Sequence, residues 1–361
     1  MLPAFLIARA VVLAALLLAR AMPSLRPEMG LLGWDADWYR RIADLGYLQL
    51  PAEAQRFFPL WPLLARLTGP AVGGSGVALL LLSNLAALAY LMLARALAVD
   101  LLASTSPGVV QTAAVRGPAG AAAAMPWVVA LAPAGFVLVM GYTEALAGAA
   151  GCAAVLCARR RCWVGAMAAG FVAGALRPTG VLLTIPLLWE VMRHSGSGGR
   201  RAWAAAGPGL GLLAYLGYAA AMFGDALAPF RVQTQPDLRG GVLVDPASTA
   251  IRAVGAVLAG NWDRAPALVH LPWIIGAVAL LVLGRRLLPA PYLLWVAAVV
   301  ALALTARDYA SFERYAGAAL PLLLITAVLV GRSRHRRWVA TGAGAALFVM
   351  SVVTFLGYYV P

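Results

Sequence analysis

VALLLLSNLAALAYLMLARALA, residues 77–98, decides the fold. Its one charge is Arg95. About 20 mostly apolar residues are what a helix needs to cross a bilayer once. A bilayer accepts such a stretch because a helix satisfies its own backbone hydrogen bonds. Working outward, ten further stretches of the same kind appear: 4–22, 119–140, 142–158, 162–176, 179–193, 203–222, 266–284, 288–305, 316–330 and 338–358. The expected fold is therefore all-α, a polytopic bundle of about eleven transmembrane helices in a single domain, 1–361. Composition agrees. Hydrophobic residues make up 63% of the chain and charged ones 12%, about half the roughly 25% of soluble domains. One soluble core could not hide that much apolar surface.

The formal charge is +14, and all 28 basic residues are arginine. They sit between apolar runs, so topology rather than nucleic acid explains them, and no nucleic-acid partner is expected. Arg-rich connections fall at 159–161, 193–201, 285–286 and 332–337, in alternate loops, as they must if all face one side. Placing these in the cytoplasm puts the N-terminus inside and the C-terminus outside. Ala19-Arg20-Ala21 imitates a signal-peptide cleavage site, but the first stretch is read as a retained helix. Asp100 and Glu190 fall at inner ends. The other carboxylates, Glu28, Asp35, Asp37, Asp44, Glu53, Glu144, Asp225, Asp237, Asp245, Asp263, Asp308 and Glu313, fall in or beside outer loops. That asymmetry points to polar work on the outer side. Cys152, Cys157 and Cys162 match no metal or redox spacing and read as small buried thiols. The three histidines are scattered, so a metal site is not expected.

Two outer segments are long, 23–76 and 223–265, and 99–118 reads as an inner linker. The first long loop contains GWDADWYRRIADLGY, Gly33 to Tyr47. Asp35 is placed to cap a helix. Trp38, Tyr39, Ile42 and Leu45 form an apolar stripe, and Gly46 ends the helix. Asp37 with Arg41, and Arg40 with Asp44, are spaced for ion pairs. RFFPLWPLLARL, Arg56 to Leu67, gives a second amphipathic piece, and both suit the membrane interface. Further polar groups stand at outer junctions: GYTE at 141–144, RPTG at 177–180, Arg231, and RDYASFERY at 307–315. Ionisable groups at such depths usually mark function. No GxGxxG, Walker loop, HExxH or GxSxG occurs.

GWDADWYRRIADLGY followed by RFFPLWPLL resembles the opening of the second GPI mannosyltransferase (PIG-V-like) family and its bacterial relatives. The resemblance continues in order through GYTEAL, RPTG and ERYAGAALPL. RPTG departs from the RSNG of eukaryotic members. The resemblance implies a GT-C type glycosyltransferase in a bacterial cell membrane, working on the extracytoplasmic side. Its donor would be a polyprenyl-phosphate sugar, with mannose the expected sugar. Its acceptor would be a glycolipid, lipoglycan or secreted protein, and transfer would invert the anomeric centre. No cofactor and no metal are implied. The catalytic carboxylate would be Asp35, at the WD position, with Asp37 as runner-up. Trp34, Trp38, Tyr39, Glu144, Arg177, Arg231, Arg314 and Tyr315 would bind substrate, the arginines receiving lipid phosphate. Two other classes remain open: a transporter or lipid-carrier flippase with no covalent product, and a non-catalytic membrane scaffold.

Overall fold

A computed structural model describes residues 1–22, 30–103, 117–194, 201–235, 243–261 and 266–359. Glu28, Asp237, Asp263 and most of the expected inner linker lie outside the described residues. The described chain is 82% helical with no strands. The helices are α1 (Leu2–Arg20), α2 (Asp35–Leu45), α3 (Leu60–Val72), α4 (Ser75–Ala103), α5 (Gly117–Ala130), α6 (Glu144–Arg159), α7 (Trp163–Leu176) and α8 (Thr184–His194). They continue with α9 (Gly207–Phe223), α10 (Ala228–Gln233), α11 (Pro246–Leu258), α12 (Leu271–Gly284), α13 (Ala290–Leu304), α14 (Phe312–Ala318), α15 (Leu320–Arg332) and α16 (Arg336–Phe355).

Five helical stretches are long and apolar enough to cross a membrane: Leu2–Arg20, Ser75–Ala103, Ala202–Phe223, Pro266–Gly284 and Arg336–Phe355. A sixth is the pair α14 and α15, bent by 73°. The rest of the expected eleven form shorter helices. The stretch 119–140 breaks after Ala130 and continues only as a 3-10 turn, Gly135–Leu138. Pro133 explains the break, because it disfavours helix in the residue before it and removes a donor. The stretch 179–193 likewise opens with a 3-10 turn, Pro178–Leu183, before α8 begins.

α4 packs against both α5 and α6, α6 against α7, and α7 against α9. The α7–α9 contact is backbone to backbone. A Cβ at Gly174 or Gly211 would collide with main-chain atoms of the facing helix, and one at Gly207 with the Met167 carbonyl. Small residues at such seams let helices approach closely where lipid supplies no hydrophobic drive.

The segment 23–76, expected to be an outer loop, does contain two amphipathic helices, α2 and α3, and Gly46 ends α2 with φ +77°. Three details differ from expectation. Asp35 is not the cap: Trp34 holds that position at φ 58°, and no side chain caps the helix. The buried stripe is Ala36, Tyr39, Ile42 and Ala43, whereas Leu45 is exposed. Asp37 pairs with Arg40 rather than Arg41, at 2.6 Å. Arg41 instead covers the Trp38 ring, and Asp44 accepts a hydrogen bond from the Ser75 hydroxyl. Trp61, on α3, is 1% exposed and donates from Nε1 to the Gly141 carbonyl at 3.0 Å. Gly141 N–H in turn donates to the Leu31 carbonyl. The first outer segment is thus bolted to the turn that starts α6.

The second long segment, 223–265, carries α10 and α11, and Asp245 caps α11 by accepting from the amides of Ala247 and Ser248. Of the three cysteines, only Cys152 is buried; Cys157 is partly buried and Cys162 exposed. The expected trio of buried thiols therefore fails, because the last two flank the exposed turn between α6 and α7.

Candidate active site

Four charged side chains meet where α2, α6, α14 and the turn after α7 converge. Arg314 Nη1 donates to Asp35 Oδ2 at 2.6 Å. Arg177 Nη1 donates to Glu144 Oε1 at 2.8 Å. Arg314 Nε lies 3.5 Å from the same Glu144 oxygen. Two carboxylates and two guanidiniums therefore form one chain, with Glu144 in the middle. Glu144 is 4% exposed and Arg314 8%, whereas the Asp35 side chain keeps 24% of its surface open. Asp35 is the member that an incoming group reaches most readily.

Local chain geometry explains each position. Trp34 takes a left-handed conformation, rare for a large side chain. Its Nε1 donates to the Thr354 carbonyl at 3.4 Å, and the turn leaves Asp35 at the head of α2. The Asp35 N–H donates to the Tyr142 hydroxyl at 3.3 Å, so GYTE supports the carboxylate as well as supplying Glu144. Glu144 opens α6, where the positive end of the helix dipole favours an anion. Arg177 sits in extended backbone between α7 and the 3-10 turn. Gly180 of RPTG folds back so tightly that a Cβ would meet the Ala173 carbonyl.

Aromatic rings frame the charges. The Tyr315 ring has both Arg177 and Arg314 guanidiniums 5.3 Å from its centroid. Tyr142 lies 5.6 Å from Arg314. Tyr39 is buried beside the cluster. Its phenol is pushed well above the ordinary tyrosine range by burial first, then by the Asp35 and Glu144 charges, so it remains a neutral hydroxyl.

A cavity of about 80 Å³ adjoins the cluster. Glu144, Arg177 and Tyr315 form its polar end. Its wall along α6 continues through Ala147, Gly148 and Gly151 to Cys152, eight residues and about 12 Å along the helix axis. Trp295 and Val299 of α13 face it from the other side. One end of this space is charged and the remainder apolar. Two buried atoms at the charged end, Glu144 Oε2 and Arg314 Nε, have no hydrogen-bond partner. Buried polar atoms are rarely left so, and such exceptions call for a physical reason.

Of the residues singled out from sequence, Asp35, Tyr39, Glu144, Arg177, Arg314 and Tyr315 come together here. Arg231 does not: its side chain is 71% exposed and pairs with Asp225 at 3.0 Å. Asp37 faces outward with Arg40. Trp38 stacks on Phe57, and Trp34 serves the turn before Asp35. Sequence reasoning missed Tyr142 as the partner of Asp35, although its place beside Glu144 was a signal. It also missed Trp295, which an apolar run conceals. Among the described residues, no group of His, Cys, Asp and Glu is arranged to hold a metal. Comparisons of the chain with protein-family models, with curated proteins and with solved structures return no match.

Proposed function

We propose that this protein is a membrane glycosyltransferase of the GT-C type. It would take a sugar, with mannose the leading candidate, from a polyprenyl-phosphate carrier and transfer it with inversion to a glycolipid, lipoglycan or secreted acceptor. The observation that carries the reading is a partly exposed carboxylate, Asp35, held by a buried arginine and joined through Arg314 and Glu144 to the charged end of a largely apolar cavity. A lipid phosphate has the same division, an anionic head on an apolar chain. We further propose eleven crossings, an inner N-terminus and the site on the extracytoplasmic side, from the alternation of arginine-rich loops. The PIG-V-like sequence motifs support the same assignment.

In this reading the acceptor oxygen attacks the anomeric carbon as the bond from that carbon to the phosphate oxygen breaks. The bonding pair leaves with the phosphate. The acceptor proton passes to Asp35, a general-base step. Arg177, at the cavity wall, stabilises the charge that grows on the leaving phosphate. Arg314 fixes the Asp35 carboxylate, and Glu144 fixes both arginines. The decisive experiment measures sugar transfer from polyprenyl-phosphate mannose in proteoliposomes. Turnover by the native chain, abolished in folded Asp35→Asn, is the expected result. Movement of the carrier across the bilayer with no covalent product would instead favour the flippase reading.

A further inference from the structure

Next to the charge cluster lies a second buried polar group that the proposed chemistry does not use. His270, immediately before α12, has Nδ1 2.6 Å from Glu313 Oε1. The Tyr359 hydroxyl donates to Glu313 Oε2 at 2.9 Å. All three are buried, at 8%, 4% and 9% exposure for His270, Glu313 and Tyr359. Both oxygens of Glu313 are thereby engaged, by residues before and after α14 in the chain whose rings lie 6.4 Å apart.

α14 needs such anchoring. It has seven residues, and helices that short have almost no stability of their own. The chain enters it through three non-glycine residues in left-handed conformation, Asp308 at φ 54°, Tyr309 at φ 56° and Ser311 at φ 62°. It leaves through the 73° bend into α15. Strained backbone of this kind persists only where surrounding contacts over-determine it. Three consecutive residues of α14 meet three different surroundings. Glu313 meets His270 and Tyr359, Arg314 meets Asp35, and Tyr315 faces Arg177 and the cavity.

We propose that His270 and Tyr359 are positioning residues: by clamping Glu313 they hold α14 in the one place where Arg314 reaches Asp35. The clamp touches no reacting atom and acts through one residue of backbone. It sets the location of the Asp35 carboxylate and of the Tyr315 wall of the cavity. Only the kinetic consequence rests on the transferase reading; the structural claim stands apart from it.

The test uses the full chain in proteoliposomes and the variants Tyr359→Phe, which deletes one hydroxyl, and His270→Asn. Each is combined with Arg314→Lys. The first readout is sugar transfer from polyprenyl-phosphate mannose. The expected result is a kcat lowered by about 10- to 100-fold with KM changed by less than about 2-fold. In the Arg314→Lys background the same substitutions add little further loss, because clamp and arginine act on one contact. Losses that multiply in the double variants would overturn the proposal. The second readout is amide hydrogen exchange at residues 312–318, which needs no activity. Faster exchange in Tyr359→Phe and Arg314→Lys, with the double variant no faster than either alone, supports the clamp even if the native chain transfers no sugar. In that case the transferase reading fails and the clamp stands. Unchanged exchange at 312–318 in Tyr359→Phe and His270→Asn sinks the clamp whatever the enzymology shows.

Discussion

α6 carries a buried ion pair at each end, and the two ends are built differently. At its start Glu144 meets Arg177 and Arg314. At its finish Arg159 hydrogen-bonds to Asp100 of α4 and to both oxygens of Glu190 of α8, at 3.1 Å each. Both placements suit the helix dipole, an anion at the N-terminus and a cation at the C-terminus. The group at the finish, the inner one in the proposed orientation, is fully hydrogen-bonded at its centre. Glu190 is 0% exposed, its Oε1 also accepts from Tyr292 at 2.7 Å, and its Oε2 lies 3.1 Å from His194 Nδ1. The group at the start, the outer one in that orientation, is less complete: Glu144 Oε2 and Arg314 Nε make no hydrogen bond, and a cavity adjoins it. Full satisfaction marks a lock that holds α4, α6, α8 and α13 in register. Incomplete satisfaction marks a place where something else completes the set.

Substitutions at the two ends separate lock from site. Asp35→Asn is expected to lower turnover by about 10²- to 10⁴-fold, the range for a lost general base, while leaving the unfolding temperature in detergent nearly unchanged. Arg159→Met leaves the buried Glu190 without its arginine. That change is expected to destabilise the fold by about 3–5 kcal/mol, seen as a lowered unfolding midpoint, with turnover per folded molecule preserved. An Arg159→Met chain that unfolds normally but loses activity would erase the distinction. Arg177→Lys keeps the charge but loses the planar fork; a rise in KM for the carrier of about 10-fold is expected in steady-state kinetics. Tyr292→Phe removes one hydrogen bond of the lock, for about 1 kcal/mol of stability and no kinetic change. The smallest effect belongs to Asp37→Asn. Its pair with Arg40 is exposed, so stability is expected to change by less than about 1 kcal/mol, with turnover intact.

How much of this was legible in the sequence differs between the two ends. The outer residues announced themselves, because Asp35, Glu144, Arg177 and Arg314 are polar groups at the junctions of apolar runs. Their pairing did not, since Asp35 and Arg314 stand 279 residues apart, and no local rule joins them. Local rules misled at Asp35, where good capping chemistry lost to a long-range ion pair. The lock was not read at all. Arg159 lies in an arginine run taken for topology, and Asp100 and Glu190 were placed only at helix ends. What joins them is how α4, α6 and α8 pack, which buries Arg159 and Glu190 against each other. Helix length was similarly obscured: apolar runs show where lipid or core is tolerated, while breaks such as that at Pro133 decide how far a helix continues. His270 looked isolated because its partners, Glu313 and Tyr359, are 43 and 89 positions along the chain.

The 279-residue separation of Asp35 and Arg314 has a consequence in time. At usual rates of synthesis, about 5–20 residues per second, the arginine leaves the ribosome about 15 to 60 s after the aspartate. During that interval the segment holding Asp35 has no cation from α14 to receive its carboxylate. A chain cut short before α14 carries the WD motif but never the assembled site, so the centre is complete only once α14 has been made.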